Sequence, residues 1–149
     1  LGSGVESYPR IRRLLVSGFG LPIPASGPDQ TYDLDAHRAA FLAFIDFLRA
    51  NLAGQTAIRV DGAWCTQSQA LEGFGRFALP DRVIRERDME AEFRDLARSV
   101  GCTTMPALAN PIAIGPFALA DVYSNEIEAR IRSVYDRDYM MFGFTDWME

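Results

Sequence analysis

Ile127 to Phe144 reads IEARIRSVYDRDYMMFGF, and the architecture of the chain turns on this stretch. Ile127, Ile131, Val134 and Tyr135 recur at helical spacing, so one face is apolar while Glu128, Arg130, Arg132 and Arg137 occupy the other. Asp138-Tyr139 then leads into Phe142-Gly143-Phe144, where the glycine permits a turn that folds both rings back onto a core. Ser124 stands as the N-cap, with Glu126 and Glu128 in the first turn where the helix dipole favours acids. The physical reading is a C-terminal locking element, an amphipathic helix that ends in aromatic anchors.

The segments upstream supply something to lock onto. Asp33 to Gly54 carries the strongest helical signal: Asp33 or Asp35 can cap its start and Gly54 ends it. Ala40, Phe41, Phe44, Ile45, Phe47, Leu48 and Leu52 form a face wide enough for a central, well-covered helix. A third helix is expected over Asp88 to Val100, with Asp88 as cap, Met89, Phe93, Leu96 and Val100 as a buried stripe, and Gly101 as stop. Ala57 to Asp61 reads as a short strand or extended segment, and Arg82 to Arg85 as a strand leading into that helix. Gly20 to Gln30 and most of Cys102 to Tyr123 are rich in Pro or Gly and read as loop. Residues 1–9 are small and polar, and flexibility is expected there.

Length and composition bound what such a chain can be. With 149 residues, 48% hydrophobic and 23% charged, it fits a single globular domain, 1–149, with a real core. A net charge of −5 disfavours nucleic acid as a partner, and no apolar run is long enough for a membrane. All 15 basic residues are Arg, which excludes a Lys nucleophile or a P-loop Lys within these residues. Cys65 and Cys102 lie far apart with a single His in the chain, so no metal is expected; free, partly buried thiols are the reading, with a single disulfide as the alternative. The chain shows no signal pattern, anchor or N-x-[ST] site, which points to a cytoplasmic, bacterial-type protein.

Few residues invite chemistry. His37, the only histidine, falls near the start of the strong helix, where an imidazole tends to stay neutral as a general base requires; a surface or capping role is the alternative. Arg10, Arg12 and Arg13 precede Ser17, a combination that suits a phosphate through charge-assisted hydrogen bonds, or else forms a solvated basic patch. Trp64 in DGAWCTQ is either a stacking platform or a plug over the core. The two GFG triplets, 18–20 and 73–75, continue into no nucleotide fingerprint and read as turns.

Taken in order, five segments resemble the C-terminal portion of the carbohydrate-type (family 2) sulfotransferases. RRLLVSGF (12–19) is similar to the family's R-x-P-x-x-R-L-x-S-x-F segment, and FLAFIDFLRANL to the helix that follows. DGAWCTQSQ resembles its D-x-H-W-x-P-Q loop, with Ala63 in place of His and Thr66 in place of Pro. DRVIRERDMEAEFRDLARSVG and VYDRDYMMFGF resemble the last two. The resemblance implies an α/β fold of the P-loop nucleotide hydrolase type, here a helix-rich C-terminal portion with few short strands. It also implies transfer of a sulfuryl group from 3′-phosphoadenosine 5′-phosphosulfate to a hydroxyl of a carbohydrate or small metabolite, without a metal.

Under this resemblance Ser17, with Arg10 or Arg13, holds the donor's 3′-phosphate, and His37 is the imidazole on offer as catalytic base. The family's first strand and its 5′-phosphosulfate loop have no counterpart in the 149 residues, so a truncated form or part of a longer chain is expected. The alternative is a non-catalytic binding or interaction domain on a degenerate sulfotransferase scaffold.

Overall fold

The computed structural model of the protein describes residues 12, 13, 15–24, 31–75, 77, 78, 80–102, 104 and 116–147, the side chain of Phe74 excepted. These residues fall into two compact units, Leu1–Ala70 with Gly115–Glu149, and Leu71–Ile114. The segment 1–9 and Arg10 lie outside the described residues.

The first unit is built on α1, Leu34–Leu52. Of the two cap candidates Asp33 is the one used: its carboxylate accepts the Ala36 N–H at 2.9 Å. The helix closes at Ala53, and Gly54 leaves it at φ +71°, a conformation that a side chain would strain. Ala40, Ile45, Phe47 and Leu48 are buried as the apolar face predicts, but so is Asn51.

Two hydrophobic clusters use different parts of α1. Phe47 and Leu48 join Leu15 and Leu21, with Phe44, Ile58, Trp64, Val134 and Tyr135 packed around them. Leu15 belongs to a helical segment at 12–13 and 15–19, where a basic cluster runs into an apolar run. Ile45 joins Val122 and Ile127, with Leu34, Phe41, Phe117 and Ile131 alongside. Val134 touches both clusters, so the C-terminal helices and α1 share one interior.

The expected closing helix forms as two. Short α4, Leu119–Val122, sits in what the prolines suggested was loop; Arg38 donates to the carbonyls of Asp121 and of Val122, the latter at 3.3 Å, and so satisfies its C-terminal end. Then come α5, Asn125–Val134, and α6, Asp136–Phe142. Ser124 caps α5 by accepting the Ile127 N–H at 3.3 Å. The break is at Tyr135 (φ −111°, ψ 28°), and Gly143 ends α6 in the left-handed region at φ 61°. Arg130 with Asp46, and Arg49 with Ser133, link α5 to α1 across the surface.

Between α1 and α5 the chain forms α2, Gln67–Gly75, a 3₁₀ turn, Glu86–Asp88, and α3, Met89–Ser99. Five local expectations are not met. Of the strand and the extended segment read for Ala57 to Asp61, the strand does not form: Ile58 engages its carbonyl and amide on the side chains of Asn51 and Thr56, so neither joins a ladder. Arg82 to Arg85 leads into the 3₁₀ turn without pairing, and the described residues contain no strand at all. The second GFG triplet lies inside α2 instead of making a turn.

Finally, Asp88 makes no side-chain cap to α3, because its carboxylate accepts from Arg87 Nε at 3.3 Å. The α3 stripe is not buried either: Met89, Phe93 and Leu96 are half-covered and Val100 is exposed. Any sheet of the implied α/β fold is therefore not among the described residues.

Candidate functional site

Of the residues singled out for chemistry, His37 sits in the first turn of α1. Its Nδ1 lies 2.9 Å from the Tyr32 hydroxyl, and its ring stands between Tyr32 and Phe117, with centroids at 5.6 and 5.3 Å. Burial pushes the Tyr32 phenol up from its usual value, so it stays protonated as a hydrogen-bonding partner. If Nδ1–H donates to the phenol oxygen, Nε2 keeps its lone pair and can accept a proton.

Arg13 and Ser17 lie one turn apart on the N-terminal helical segment, and both are exposed. The Ser17 hydroxyl donates to the Arg13 carbonyl at 2.7 Å, a local bond that it can exchange for a ligand oxygen by rotating about χ1. Arg12, half-buried, donates to the Pro24 carbonyl and so holds the loop after this segment. These residues and His37 are not brought together. The segment packs on the far part of α1, where Phe19 meets Phe47 at 4.9 Å, about 15 Å along the helix axis from His37.

Trp64 is the plug of the two alternatives. Its ring packs against Phe44 and Phe47, at 6.3 and 6.0 Å, and its indole N–H donates to Asn51 Oδ1 at 2.8 Å. Asn51 Nδ2 donates in turn to Thr56 Oγ1 and the Ile58 carbonyl, both at 2.7 Å. One buried amide therefore uses both donors and an acceptor to fold residues 56–64 back onto the end of α1.

The same loop is held from the C-terminus. Tyr135 Oη donates to the Trp64 carbonyl at 2.8 Å. The Asp138 carboxylate, buried, accepts the N–H groups of Gln67 and Ser68 at 2.7 and 3.0 Å. It thereby caps α2 from another element and occupies that helix's anion-binding end.

A second buried carboxylate organises the tail. Glu128 accepts from Tyr123 Oη at 2.5 Å, Tyr139 Oη at 2.7 Å and the Trp147 N–H at 3.3 Å. Burial alone pushes its carboxyl up, but these three hydrogen bonds, with Arg132 nearby, outweigh that and hold it below its usual range. Both phenols move the other way: burial and then the bond to Glu128 raise Tyr123, and push Tyr139 up to about 12. The arrangement is a carboxylate kept ionised by neutral phenols, which is structural chemistry and not proton transfer.

Sequence reasoning missed the burial of Asn51, Glu128 and Asp138. Asn51 lies in an apolar run and Glu128 on the charged face of its helix, so neither carries a local mark. Asp138 was legible only as part of the closing motif. Cys65 is a half-buried thiol, donating to the Gly62 carbonyl at 3.6 Å; Cys102 is exposed where partial burial was expected.

No protein-family model, curated protein or solved structure matches the chain. Among the described residues no group of three or more His, Cys, Asp or Glu could hold a metal ion, and no helix is long and apolar enough to cross a membrane.

Proposed function

We propose that the chain is the C-terminal portion of a sulfotransferase of the carbohydrate type. On this reading it takes part in moving a sulfuryl group from 3′-phosphoadenosine 5′-phosphosulfate to a hydroxyl of a sugar or small metabolite. One observation carries the reading. Four of the five segments that carry the resemblance, RRLLVSGF, the Phe-rich helix, the DGAWCTQSQ loop and the closing Y-x-x-D-Y-x-x-F-G-F, are knitted into one unit by residues belonging to the motifs themselves: Phe19 on Phe47, Trp64 to Asn51, Tyr135 to Trp64, Asp138 to Gln67 and Ser68; the fifth, DRVIRERDMEAEFRDLARSVG, belongs to the other unit.

In this reading Arg13 and Ser17 bind the donor's 3′-phosphate. Both are exposed and one turn apart, so a guanidinium and a hydroxyl can reach the same anion. Arg10 is the other basic partner that the resemblance implies. The donor supplies the sulfuryl group, and the chain's part is to hold it in line with the acceptor oxygen. His37, oriented by Tyr32, is the candidate base for the acceptor hydroxyl.

A non-catalytic binding domain on the same scaffold is the second reading. It is supported by the way the polar interior is used: no described buried side-chain nitrogen or oxygen lacks a partner, and Glu128 and Asp138 are both spent on holding backbone and phenols.

Calorimetric titration of the protein encoded by the complete reading frame with 3′-phosphoadenosine 5′-phosphate tests both. Saturable binding that weakens about tenfold in Arg13→Ala and several-fold in Ser17→Ala is expected from the loss of charge-assisted and neutral hydrogen bonds respectively. Absence of heat overturns the donor site. Binding without turnover on any hydroxyl acceptor selects the non-catalytic reading.

A further inference from the structure

The second compact unit, Leu71–Ile114, buries none of its described side chains. Its longest helix, α3, still carries an apolar stripe. Met89, Phe93 and Leu96 are only partly covered, and Val100, at the C-cap, keeps 66% of its surface exposed. A segment this short lies near the limit of about 40 residues below which a disulfide, a metal or an oligomer usually completes the core. The unit has one cysteine and no histidine, so it can close no disulfide of its own and lacks the usual zinc ligand set. An oligomer is the remaining device.

The order of residues along α3 selects the partner. Met89, Phe93, Leu96 and Val100 are spaced four, three and four apart, the d-a-d-a seam of a coiled coil. That spacing is the same read from either end. Turned end over end about a point between Phe93 and Leu96, the stripe meets its own copy, Phe93 on Leu96 and Met89 on Val100. A self-matching patch is what a two-fold interface requires.

The flanks agree. Glu90 and Glu92 lie beside the seam in the first turn, and across an antiparallel pair they face the small residues Ala97 and Ser99. No like charges meet, and the acidic first turn of each helix lies level with Arg98 in the last turn of the other. Parallel alignment would set acid beside acid. Within each copy Arg94 and Arg82 hold Glu90 and Glu92 at 3.0 and 3.7 Å, so neither carboxylate stands unpaired at the seam.

We propose that α3 is a homodimer interface: it docks on the α3 of a second copy of this chain, antiparallel, through Met89, Phe93, Leu96 and Val100. The stripe is about 16 Å long at about 1.5 Å per residue, too short to reach the about 800 Å² per partner of a standard interface. The dimer is therefore weak, with a dissociation constant on the order of 100 μM. No residue of the donor site takes part.

Sedimentation equilibrium of the protein encoded by the complete reading frame, over about 10 μM to about 1 mM, tests this. The mass should rise from monomer towards dimer and stop there. Val100→Glu sets a carboxylate against the acidic first turn of the other copy and should weaken the dimer at least about tenfold. Val100→Arg faces the same acids and should weaken it only about threefold. Ser99→Glu, opposite Glu92 of the other copy, should also weaken it about threefold. Met140→Glu, at a 75% exposed position of the first unit, should change nothing.

Val100 and Ser99 are exposed, so their variants keep the fold, which circular dichroism checks. Should Val100→Glu lose helix, Ser99→Glu decides. A mass that stays monomeric, as it does when the stripe is covered within the full-length protein or by a different partner, overturns the interface. So does growth beyond a dimer, or a dimer indifferent to Val100→Glu and Ser99→Glu. Equal weakening by Met140→Glu places the contact elsewhere, and a larger effect of Val100→Arg than of Val100→Glu marks a parallel pair; either overturns the proposal.

Discussion

Asp138 caps a helix to which it does not belong: its carboxylate accepts the N–H of Gln67 at 2.7 Å and of Ser68 at 3.0 Å, 71 and 70 residues earlier in the chain. A buried charge held by two backbone donors at a helix N-terminus is stabilised by the hydrogen bonds and by the helix dipole together. Asp138→Ala should therefore lower unfolding free energy by about 3 kcal/mol, and Asp138→Asn by about half as much, since the amide keeps one acceptor but loses the charge. Urea unfolding followed by far-UV circular dichroism measures both. A change under about 0.5 kcal/mol, the level of an ordinary surface substitution, would show that the cap contributes nothing.

Asn51 is the matching device at the other end of the loop. Replacing it with Leu leaves the Trp64 indole N–H without its partner inside the unit and the Ile58 carbonyl with only the longer bond from the Thr56 hydroxyl at 3.4 Å. A loss of about 3 kcal/mol is expected, with a red shift in tryptophan emission as Trp64 reaches for water. Stability equal to wild type would mean that the indole had found another acceptor.

Glu128 and Tyr139 set opposite limbs of the pH profile. The Glu128 carboxyl is depressed in the folded protein, so its contribution is present above its unfolded value of about 4.3 and is lost as pH falls through the folded value. Tyr139, pushed up to about 12, binds its proton more tightly folded than unfolded. Its contribution is present below about pH 10 and is lost as pH rises from there through about 12. Thermal unfolding across pH should show both slopes; Glu128→Gln should flatten the acid limb and Tyr139→Phe the alkaline one.

Gly143 ends α6 at φ 61° and ψ 44°, where an L side chain is strained. Gly143→Ala should cost about 1 kcal/mol and loosen the packing of Phe144 on Tyr139, whose rings meet at 5.9 Å. Equilibrium unfolding with near-UV circular dichroism reads both effects.

How much of this was legible before the structure follows the range of the forces involved. Asp33, Ser124, Gly54, Gly101 and Gly143 act within a turn of their own position, and each does what its residue type predicts. The apolar face of α1 was readable for the same reason. Patterns that need a partner were not. AIRVD looks like a strand, but a strand requires a neighbouring ladder, and the Asn51 side chain takes the Ile58 carbonyl first. The stripe on α3 has helical period and forms a helix, yet period says nothing of what covers it, and Val100 stays exposed. Of the candidate site, Arg13, Ser17 and His37 could be named but not placed, and their separation along α1 is a property of packing.

The sequence by itself determined the caps at Asp33 and Ser124, the glycines that close three of the helices, the apolar face of α1, and that the chain's end carries aromatic anchors. Caps, periodicity and left-handed glycines are local, and they act whatever surrounds them. Only the tertiary structure decided that the closing helix breaks at Tyr135, whose hydroxyl reaches the Trp64 carbonyl at 2.8 Å. Only it decided that Asn51, Glu128 and Asp138 lie inside. A polar side chain belongs in water until donors and acceptors from distant parts of the chain offset the cost of burying it, and no stretch of sequence carries both halves of that bargain.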